Sequence, residues 1–178
     1  MGLVLLLGGA RSGKSALASR LAQAQPAPVV WLATAEAGDP EMAARIERHR
    51  AERPEHWRTI EEPLRLRETV ADIDRDVCLV VDCLTLWVAN ALERLGGAAT
   101  ENEAAAAAQL AAARTGLTIA VSNEVGLGLV PANELGRSYR DLLGRVNSLW
   151  AAAAERSYLL VAGHALPLVE VDALLELT

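Results

Sequence analysis

Cysteine is scarce in this chain of 178 residues, which contains only Cys78 and Cys83. Both fall in what we predict to be one buried strand, where five residues of extended chain place them on opposite faces and beyond bridging distance. We therefore expect no disulfide between them. The sequence also contains no linker rich in proline, glycine or serine and no internal repeat. Residues 1–178 are predicted to form a single domain.

Long apolar runs and an excess of basic charge are also missing. No uninterrupted apolar run reaches the ~20 residues that a membrane-spanning helix needs, and no basic segment precedes the apolar residues at the N-terminus. These absences predict a cytoplasmic protein without a membrane span. The net charge of −6 argues against nucleic acid as the main partner, because binding to a phosphate backbone usually needs a basic face.

Short apolar runs alternate with longer helical patterns. The runs are continuous, as in strands that are buried on both faces of a parallel sheet. Strands are predicted at residues 3–7, 29–33, 79–81, 118–122 and 158–161, and helices at residues 14–25, 40–53, 85–95, 101–114 and 134–155. Asp39, Thr100 and Asn133 are the expected caps of the second, fourth and fifth helices. The pattern indicates an α/β domain of three layers with a mostly parallel sheet.

Lysine occurs only once, at Lys14, whereas the other 16 of the 17 basic residues are arginines. This lysine belongs to GGARSGKS at residues 8–15, which matches G-x-x-x-x-G-K-[ST] between a predicted strand and a predicted helix. In such a loop the backbone N–H groups surround phosphates, the lysine reaches the terminal phosphates, and the Ser15 hydroxyl can ligate Mg²⁺. The alternative is a glycine turn with a solvated lysine.

A phosphate loop also needs a carboxylate that organises the metal ion at the end of a neighbouring strand. Asp82 ends the apolar run at residues 79–81 and is the candidate for this role. The alternative is that Asp82 caps the helix predicted to follow it. Thr34 and Glu36 follow another predicted strand and place polar groups at the same edge of the sheet.

The helix predicted to begin at Pro40 carries Arg45, His49 and Arg53 at positions i, i+4 and i+8, and therefore along one face. Guanidinium groups bind phosphate oxygens, and the imidazole of His49 can attack a phosphorus atom. An arginine-rich helix with one histidine is otherwise a solvated face. We treat the remaining histidines, His56 and His164, as structural.

A further cluster at residues 122–131, SNEVGLGLVP, follows the fourth predicted strand and opens at the ligand-binding edge of the sheet. Glu124 is a candidate for binding a substrate or activating its hydroxyl. The alternative for Gly126 and Gly128 is that they are turn glycines ahead of a helix. The sequence after Ala162 carries no motif that we can assign, and its leucine-rich end is a candidate contact with a neighbouring subunit.

The chain resembles one enzyme family in three separated regions. These are GGARSGKS at residues 8–15, EMAARIERHRAERPEHWRTIEEP at residues 41–63, and SNEVGLGLVP at residues 122–131 with GRVN at residues 144–147. Together they resemble the bifunctional adenosylcobinamide kinase/adenosylcobinamide-phosphate guanylyltransferases of cobalamin biosynthesis. The resemblance covers residues 3–160 and implies a RecA-like P-loop NTPase fold and a homotrimer.

The resemblance implies two successive reactions. ATP or GTP first phosphorylates adenosylcobinamide, and GTP then transfers GMP through a covalent GMP-histidine to adenosylcobinamide phosphate, giving adenosylcobinamide-GDP. His49 matches the guanylylated histidine, and Ser15 and Asp82 are the candidate ligands of Mg²⁺. The nucleotide contacts that carry over are Gly8, Gly9, Ala10, Arg11, Ser12, Gly13, Lys14, Ser15, Thr34, Ala35, Glu36, Arg50, Ala51, Glu52, Arg53, Glu61 and Asp82.

Two other functions are compatible with a phosphate loop. One is a plain P-loop kinase of small molecules, in which the basic helix only neutralises phosphate charge. The other is a non-catalytic nucleotide switch that changes partners on hydrolysis.

Overall fold

The predicted apolar runs form a seven-stranded sheet in the computed structural model, which describes residues 2–172. The strands are β1 (Leu3–Gly8), β2 (Val29–Ala33), β3 (Arg58–Glu61), β4 (Cys78–Asp82), β5 (Thr118–Val121), β6 (Arg156–Val161) and β7 (His164–Leu168). The helices are α1 (Lys14–Gln23), α2 (Pro40–Ala51), α3 (Leu66–Asp72), α4 (Leu84–Leu95), α5 (Gly97–Ala112) and α6 (Glu134–Ala153). The bounds of each predicted element are correct to within two residues, except those of the helix expected at residues 101–114.

The strands lie in the order β3-β2-β4-β5-β1-β6-β7, and every neighbouring pair is parallel except β6 with β7. Strands β2, β4 and β5 end level, because Asp82 pairs with Ala33 on one side and with Val121 on the other. On β1, Leu6 also pairs with Val121. The carboxyl ends of four strands therefore meet at one edge, where open α/β sheets bind ligands.

Each face of the sheet has its own hydrophobic core. One face buries Leu5, Leu32 and Val81 with residues of α3, α4, α5 and α6, whereas the other buries Leu6 and Val80 with residues of α1. Successive residues of a strand point to opposite faces, so the continuous apolar runs serve both cores. The predicted three-layer α/β architecture with a mostly parallel sheet is confirmed.

Two of the predicted helix caps are confirmed. Asp39 and Asn133 each accept a backbone N–H from the third residue along the chain at 2.7 Å. The prediction for Thr100 is wrong, because α5 begins at Gly97 and Thr100 lies within its first turn. The Thr100 hydroxyl donates to the Gly96 carbonyl oxygen at 2.8 Å. The helix extends towards Gly97 because alanine, which fills residues 98–99, is the strongest helix former.

The prediction omitted β3, α3 and β7. β3 has four residues, none of them fully buried, and lacks the continuous apolar run of an inner strand. α3 spans seven residues, which is less than the window in which a helical period is visible. β7 is exposed along its whole length and contains Pro167, as edge strands tolerate. The leucine-rich tail beyond residue 172 lies outside the described residues.

All four tryptophans are buried, and the most exposed, Trp57, is 7% accessible. Both cysteines are free thiols, which confirms that they form no disulfide. Cys83 is not in the strand as predicted but follows it, between β4 and α4. Within residues 2–172, no helix has the length and apolar character needed to cross a membrane.

Arg114 ties the chain after α5 to the connection between α3 and β4. Its side chain is 5% exposed and donates to the carbonyl oxygens of Ile73 at 3.0 Å, Asp74 at 2.7 Å and Val77 at 3.1 Å. Those carbonyl groups lie far from the carboxyl edge of the sheet. Loss of these hydrogen bonds should therefore lower the stability of the fold without altering the ligand-binding edge.

We expect Arg114→Ala to lower the free energy of unfolding by about 2–4 kcal/mol, because it removes the donor from buried carbonyl groups. Chemical denaturation of both proteins measures the difference. Arg156→Ala is the control, since this exposed side chain lies 3.9 Å from its ion-pair partner Glu155. Equal losses in the two variants would contradict this role for Arg114.

Candidate active site

The phosphate loop links β1 to α1 and requires glycine at two positions. Gly8 and Gly13 have φ of +150° and +99°, which side chains disfavour. A Cβ atom on Gly8 would also collide with the carbonyl oxygen of Leu160 and with Ser12 Oγ. The glycines of the motif therefore allow the close turn that points the loop towards the carboxyl edge of the sheet.

Lys14 lies at the end of this loop and is 7% exposed. Its Nζ donates to the carbonyl oxygens of Gly8 at 2.9 Å and Gly9 at 2.6 Å and lies 3.4 Å from Ser12 Oγ. Burial lowers the pKa of Lys14, whereas Cys83 and Asp82 raise it. Among residues 2–172, the acceptors within hydrogen-bond distance of the buried ammonium are all neutral, so an anionic phosphate would bind it more strongly.

Two neighbouring segments hold the loop in place. The turn between β6 and β7 contributes Gly163, whose N–H donates to the Ser12 carbonyl oxygen at 3.1 Å. The segment after β5 contributes the N–H of Glu124, which donates to the Gly8 carbonyl oxygen at 3.1 Å. The Glu124 carboxylate accepts the N–H of Gly126 at 2.6 Å and stabilises its own turn. Sheet strands on both sides of β1 therefore fix the loop.

Asp82 ends β4 and faces the first turn of α1. Its Oδ1 accepts a hydrogen bond from Ser15 Oγ at 3.3 Å. Burial raises the pKa of Asp82, while the charges of His49, Arg53 and Lys14 lower it. Asp82 does not cap the next helix, because the N-cap of α4 is Cys83, which makes no side-chain capping bond. A half-buried carboxylate therefore lies within hydrogen-bond distance of the loop serine.

Helix α2 brings its histidine to the same place. None of its residues is fully buried, but Met42, Arg45, Ile46 and His49 line a cavity against the phosphate loop. These residues fall at positions i, i+3, i+4 and i+7 and form one stripe of the helix. Arg45, His49 and Arg53 all line this cavity, but Arg53 follows the end of α2 at Ala51 and does not lie on its helical face as predicted.

The cavity measures about 330 Å³ and lies at the carboxyl edge of the sheet. This volume is in the range of small-molecule sites. Of the residues implied by the resemblance, the cavity is lined by Ala10, Arg11, Ser12, Gly13, Lys14, Ser15, Ala35, His49, Glu52, Arg53 and Asp82. One cavity therefore combines the phosphate loop, the strand carboxylate and the histidine.

The other predicted contacts do not line this cavity. Gly8 and Gly9 shape the loop from below Lys14, and Ala51 lies at the exposed end of α2. Thr34 is buried, with its hydroxyl donating to the Cys83 carbonyl oxygen at 2.6 Å. The remaining three form surface ion pairs, Arg50 with Glu61 and Glu36 with Arg94.

Arg53 is fixed against an aromatic pair at the wall of the cavity. Its guanidinium carbon lies 5.0 Å from the centroid of the Trp31 ring, within range of a cation–π interaction. Trp31 stacks on Trp57 with centroids 5.8 Å apart. Burial is the main cause that lowers the pKa of Arg53. This stack holds a positive charge beside His49, whereas Arg50 is turned towards the surface.

Sequence reasoning did not select every residue that lines the cavity. Leu86 and Val121 supply apolar wall, and Asn123 supplies an amide after β5. Asn123 was visible in the motif at residues 122–131, but only its place close behind an inner strand, two residues after the end of β5, would have singled it out. Among the described residues, no cluster of three or more His, Cys, Asp or Glu side chains forms a metal site.

A glycine-rich loop between a strand and a helix, with a half-buried carboxylate ending the strand two places away, defines a P-loop nucleotide-binding domain. The profile of the cobinamide kinase / cobinamide phosphate guanyltransferase family matches residues 4–168. The chain therefore belongs to this family and is a kinase and guanylyltransferase of that type.

Relatives and solved structures agree with this assignment. The chain is 48% identical over 170 residues to the bifunctional adenosylcobalamin biosynthesis protein CobP of Pseudomonas aeruginosa, covering 92% of this chain and 95% of the relative. It is 40% identical over 178 residues to the bifunctional adenosylcobalamin biosynthesis protein CobU of Escherichia coli K12, covering 90% and 96%.

Two solved structures of low identity share the fold. A protein of Pyrococcus horikoshii OT3 superposes with a TM-score of 0.57 at 10% identity, covering 96% of this chain and 87% of that one. A prototypical ATPase of the type III secretion system of pathogenic bacteria gives a TM-score of 0.50 at 15% identity, covering 90% and 52%. The expected RecA-like P-loop fold is confirmed.

We expect Lys14→Ala to weaken the binding of ATP and GTP by roughly 10- to 100-fold, because a charged hydrogen bond to phosphate is lost. Both transfer activities should fall, since they share the loop. Isothermal titration calorimetry measures the affinities. Arg67→Ala is the control, because Arg67 forms a surface ion pair with Glu103 on α5. Unchanged nucleotide affinity in Lys14→Ala would contradict the assignment of the loop.

Proposed function

We propose that this one cavity carries out both transfers, and that His49 holds GMP covalently between them. The observation that carries the proposal is the convergence of Lys14, Asp82 and His49 on a single cavity. If His49 were only a solvent-exposed residue of α2, its side chain would not need to face the phosphate loop. The substrates are adenosylcobinamide, its phosphate, and ATP or GTP.

In the first reaction, the hydroxyl oxygen of the aminopropanol group of adenosylcobinamide attacks the terminal phosphorus of the nucleoside triphosphate. A P–O bond forms, the bond from that phosphorus to the β-phosphate oxygen breaks, and the hydroxyl proton is released to solvent. The loop N–H groups and Lys14 bind the phosphates and neutralise charge that develops on their oxygens. Arg45 and Arg53 place two more cations at the cavity wall. The diphosphate leaves, and adenosylcobinamide phosphate is the product.

In the second reaction, an imidazole nitrogen of His49 attacks the α-phosphorus of GTP. A P–N bond forms, the bond to the β-phosphate oxygen breaks, and pyrophosphate leaves. A phosphate oxygen of adenosylcobinamide phosphate then attacks the same phosphorus and displaces the histidine, giving adenosylcobinamide-GDP. The covalent step divides one difficult displacement into two easier ones.

Mg²⁺ fits the residues beside the loop. Ser15 Oγ and Asp82 Oδ1 lie 3.3 Å apart, and both are oxygen ligands of the kind that Mg²⁺ prefers. With only these two side chains, the remaining ligands would come from phosphates and water, as in other P-loop sites. When bound, the ion neutralises phosphate charge.

The decisive experiment compares the parent protein with His49→Ala and His56→Ala. Each is incubated with Mg²⁺ and GTP labelled at either the α- or the γ-phosphate, and then denatured. We expect acid-labile, alkali-stable α-label on the parent and on His56→Ala, and none on His49→Ala. His56 is the matched control, because it is a nearby exposed histidine that does not line the cavity.

Phosphorylation of adenosylcobinamide should persist in His49→Ala, since only the second reaction uses the imidazole as nucleophile. If no α-label binds the parent while phosphorylation proceeds, the protein is a plain kinase and α2 is a phosphate clamp. If His49→Ala makes adenosylcobinamide-GDP at the parent rate, the covalent mechanism is wrong.

The homotrimer implied by the resemblance is part of this proposal. The edge strand β7 and the residues after it expose Leu166, Leu168 and Val169, which are 54%, 43% and 67% accessible. Apolar side chains along an exposed edge strand are typical of an interaction surface.

We therefore expect light scattering to give the mass of three chains of 18.9 kDa each. Leu168→Glu should dissociate the trimer, because it places a charge in the apolar surface. Leu110→Glu serves as the control, since Leu110 is 39% exposed on α5. A monomeric parent protein would overturn the trimer.

A further inference from the structure

The cavity contains one polar side chain, that of Asn123, which takes no part in the two transfer reactions as proposed above. Asn123 lines it together with Lys14, Ser15 and Asp82. It follows β5, which lies between β1, whose end carries the phosphate loop, and β4, whose end carries Asp82. Asn123 therefore occupies the gap between the loop and the carboxylate.

Buried side chains fix the backbone of Asn123 on both sides. Its N–H donates to Thr85 Oγ1 at 2.7 Å, and its carbonyl oxygen accepts from Asn147 Nδ2 at 3.0 Å. Thr85 and Asn147 are 6% and 5% exposed. Within residues 2–172, the Asn123 carboxamide itself has no hydrogen-bond partner in the protein.

A third buried group completes this network. Ser122 is fully buried and donates to Asn147 Oδ1 at 2.6 Å, and its hydroxyl lies 3.5 Å from Thr85 Oγ1. Burying these polar groups costs free energy that apolar side chains of similar size would not cost. The network fixes the backbone of Asn123, and the Asn123 side chain remains available to a ligand.

We propose that the Asn123 carboxamide donates a hydrogen bond to the terminal phosphate of the bound nucleoside triphosphate. This inference rests on the proposed binding of the triphosphate by the loop. Lys14 and the Ser15–Asp82 pair mark the place of the terminal phosphates, and Asn123 lines the same space. A neutral N–H donor to a phosphate oxygen makes a charge-assisted bond. Thr85, Ser122 and Asn147 are positioning residues.

The test compares the binding of β,γ-imido-GTP with that of GDP, in the presence of Mg²⁺ and in proteins that all carry His49→Ala, so that the analogue cannot transfer its GMP unit to the histidine. Asn123→Asp keeps the shape of the side chain but replaces the donor with a negative charge, and Asn123→Ala removes the donor alone. We expect β,γ-imido-GTP to bind roughly 10- to 100-fold more weakly to Asn123→Ala, and more weakly still to Asn123→Asp. GDP, which lacks the contacted phosphate, should bind all three proteins equally.

Asn102→Asp provides the matched control, because Asn102 is exposed on α5 and receives the same change in charge. Its affinities for both nucleotides should equal those of the parent. If the Asn123 variants weaken GDP and β,γ-imido-GTP equally, Asn123 has a structural role and the inference fails. The inference also fails if the Asn123 variants bind both nucleotides as the parent does. Loss of phosphoryl transfer in such variants would mean that the amide contacts the phosphoryl acceptor and not the nucleotide.

The same measurements separate this inference from the proposed function. A parent protein that binds β,γ-imido-GTP but carries no α-label on His49 would contradict the covalent mechanism and leave the role of Asn123 intact. The opposite result is also possible to distinguish. If the parent carries α-label on His49, and Asn123→Asp prefers the triphosphate to GDP as strongly as the parent does, the covalent mechanism is supported and the role of Asn123 is overturned.

Discussion

The level ending of the inner parallel strands is the constraint on which the site depends. Asp82 pairs with Ala33 and with Val121, so β2, β4 and β5 stop at the same height. Every residue that follows these strands is therefore delivered to one edge, next to the phosphate loop on β1. A slip of one residue in β4 would turn the Asp82 side chain to the other face of the sheet. The register thus determines whether Asp82 meets Ser15.

The site combines rigidly held elements with one loosely packed helix, α2. The phosphate loop is fixed by hydrogen bonds from both neighbouring strands, and Arg53 is fixed by the Trp31–Trp57 stack. Helix α2 has no fully buried residue, and its position rests on its Asp39 cap and its cavity-facing stripe. Few buried contacts correspond to low local stability, so α2 can open at smaller cost than the sheet.

The sequence predicted most of the inner structure, because buried parallel strands are continuous apolar runs. The phosphate loop was predictable from its motif, and Asp82 from its place after such a run. β3 and β7 were not, since edge strands lack that pattern. The start of α5 was misplaced because Thr100 resembles a cap, whereas the preceding alanines extend the helix. Asn123 was overlooked because an uncharged amide within a glycine-rich segment gives no signal until the topology places β5 between β1 and β4.

The claim that one cavity serves both reactions is tested most directly by a single inhibitor. A GTP analogue with methylene groups in place of both bridging oxygens can donate neither its terminal phosphoryl group nor GMP, and its effect is measured separately on the phosphorylation of adenosylcobinamide and on the labelling of His49 by α-labelled GTP. A shared cavity predicts inhibition that is competitive with the nucleotide in both assays, with the same inhibition constant. Inhibition of phosphorylation without competition in the labelling assay would show two separate nucleotide sites and contradict the account.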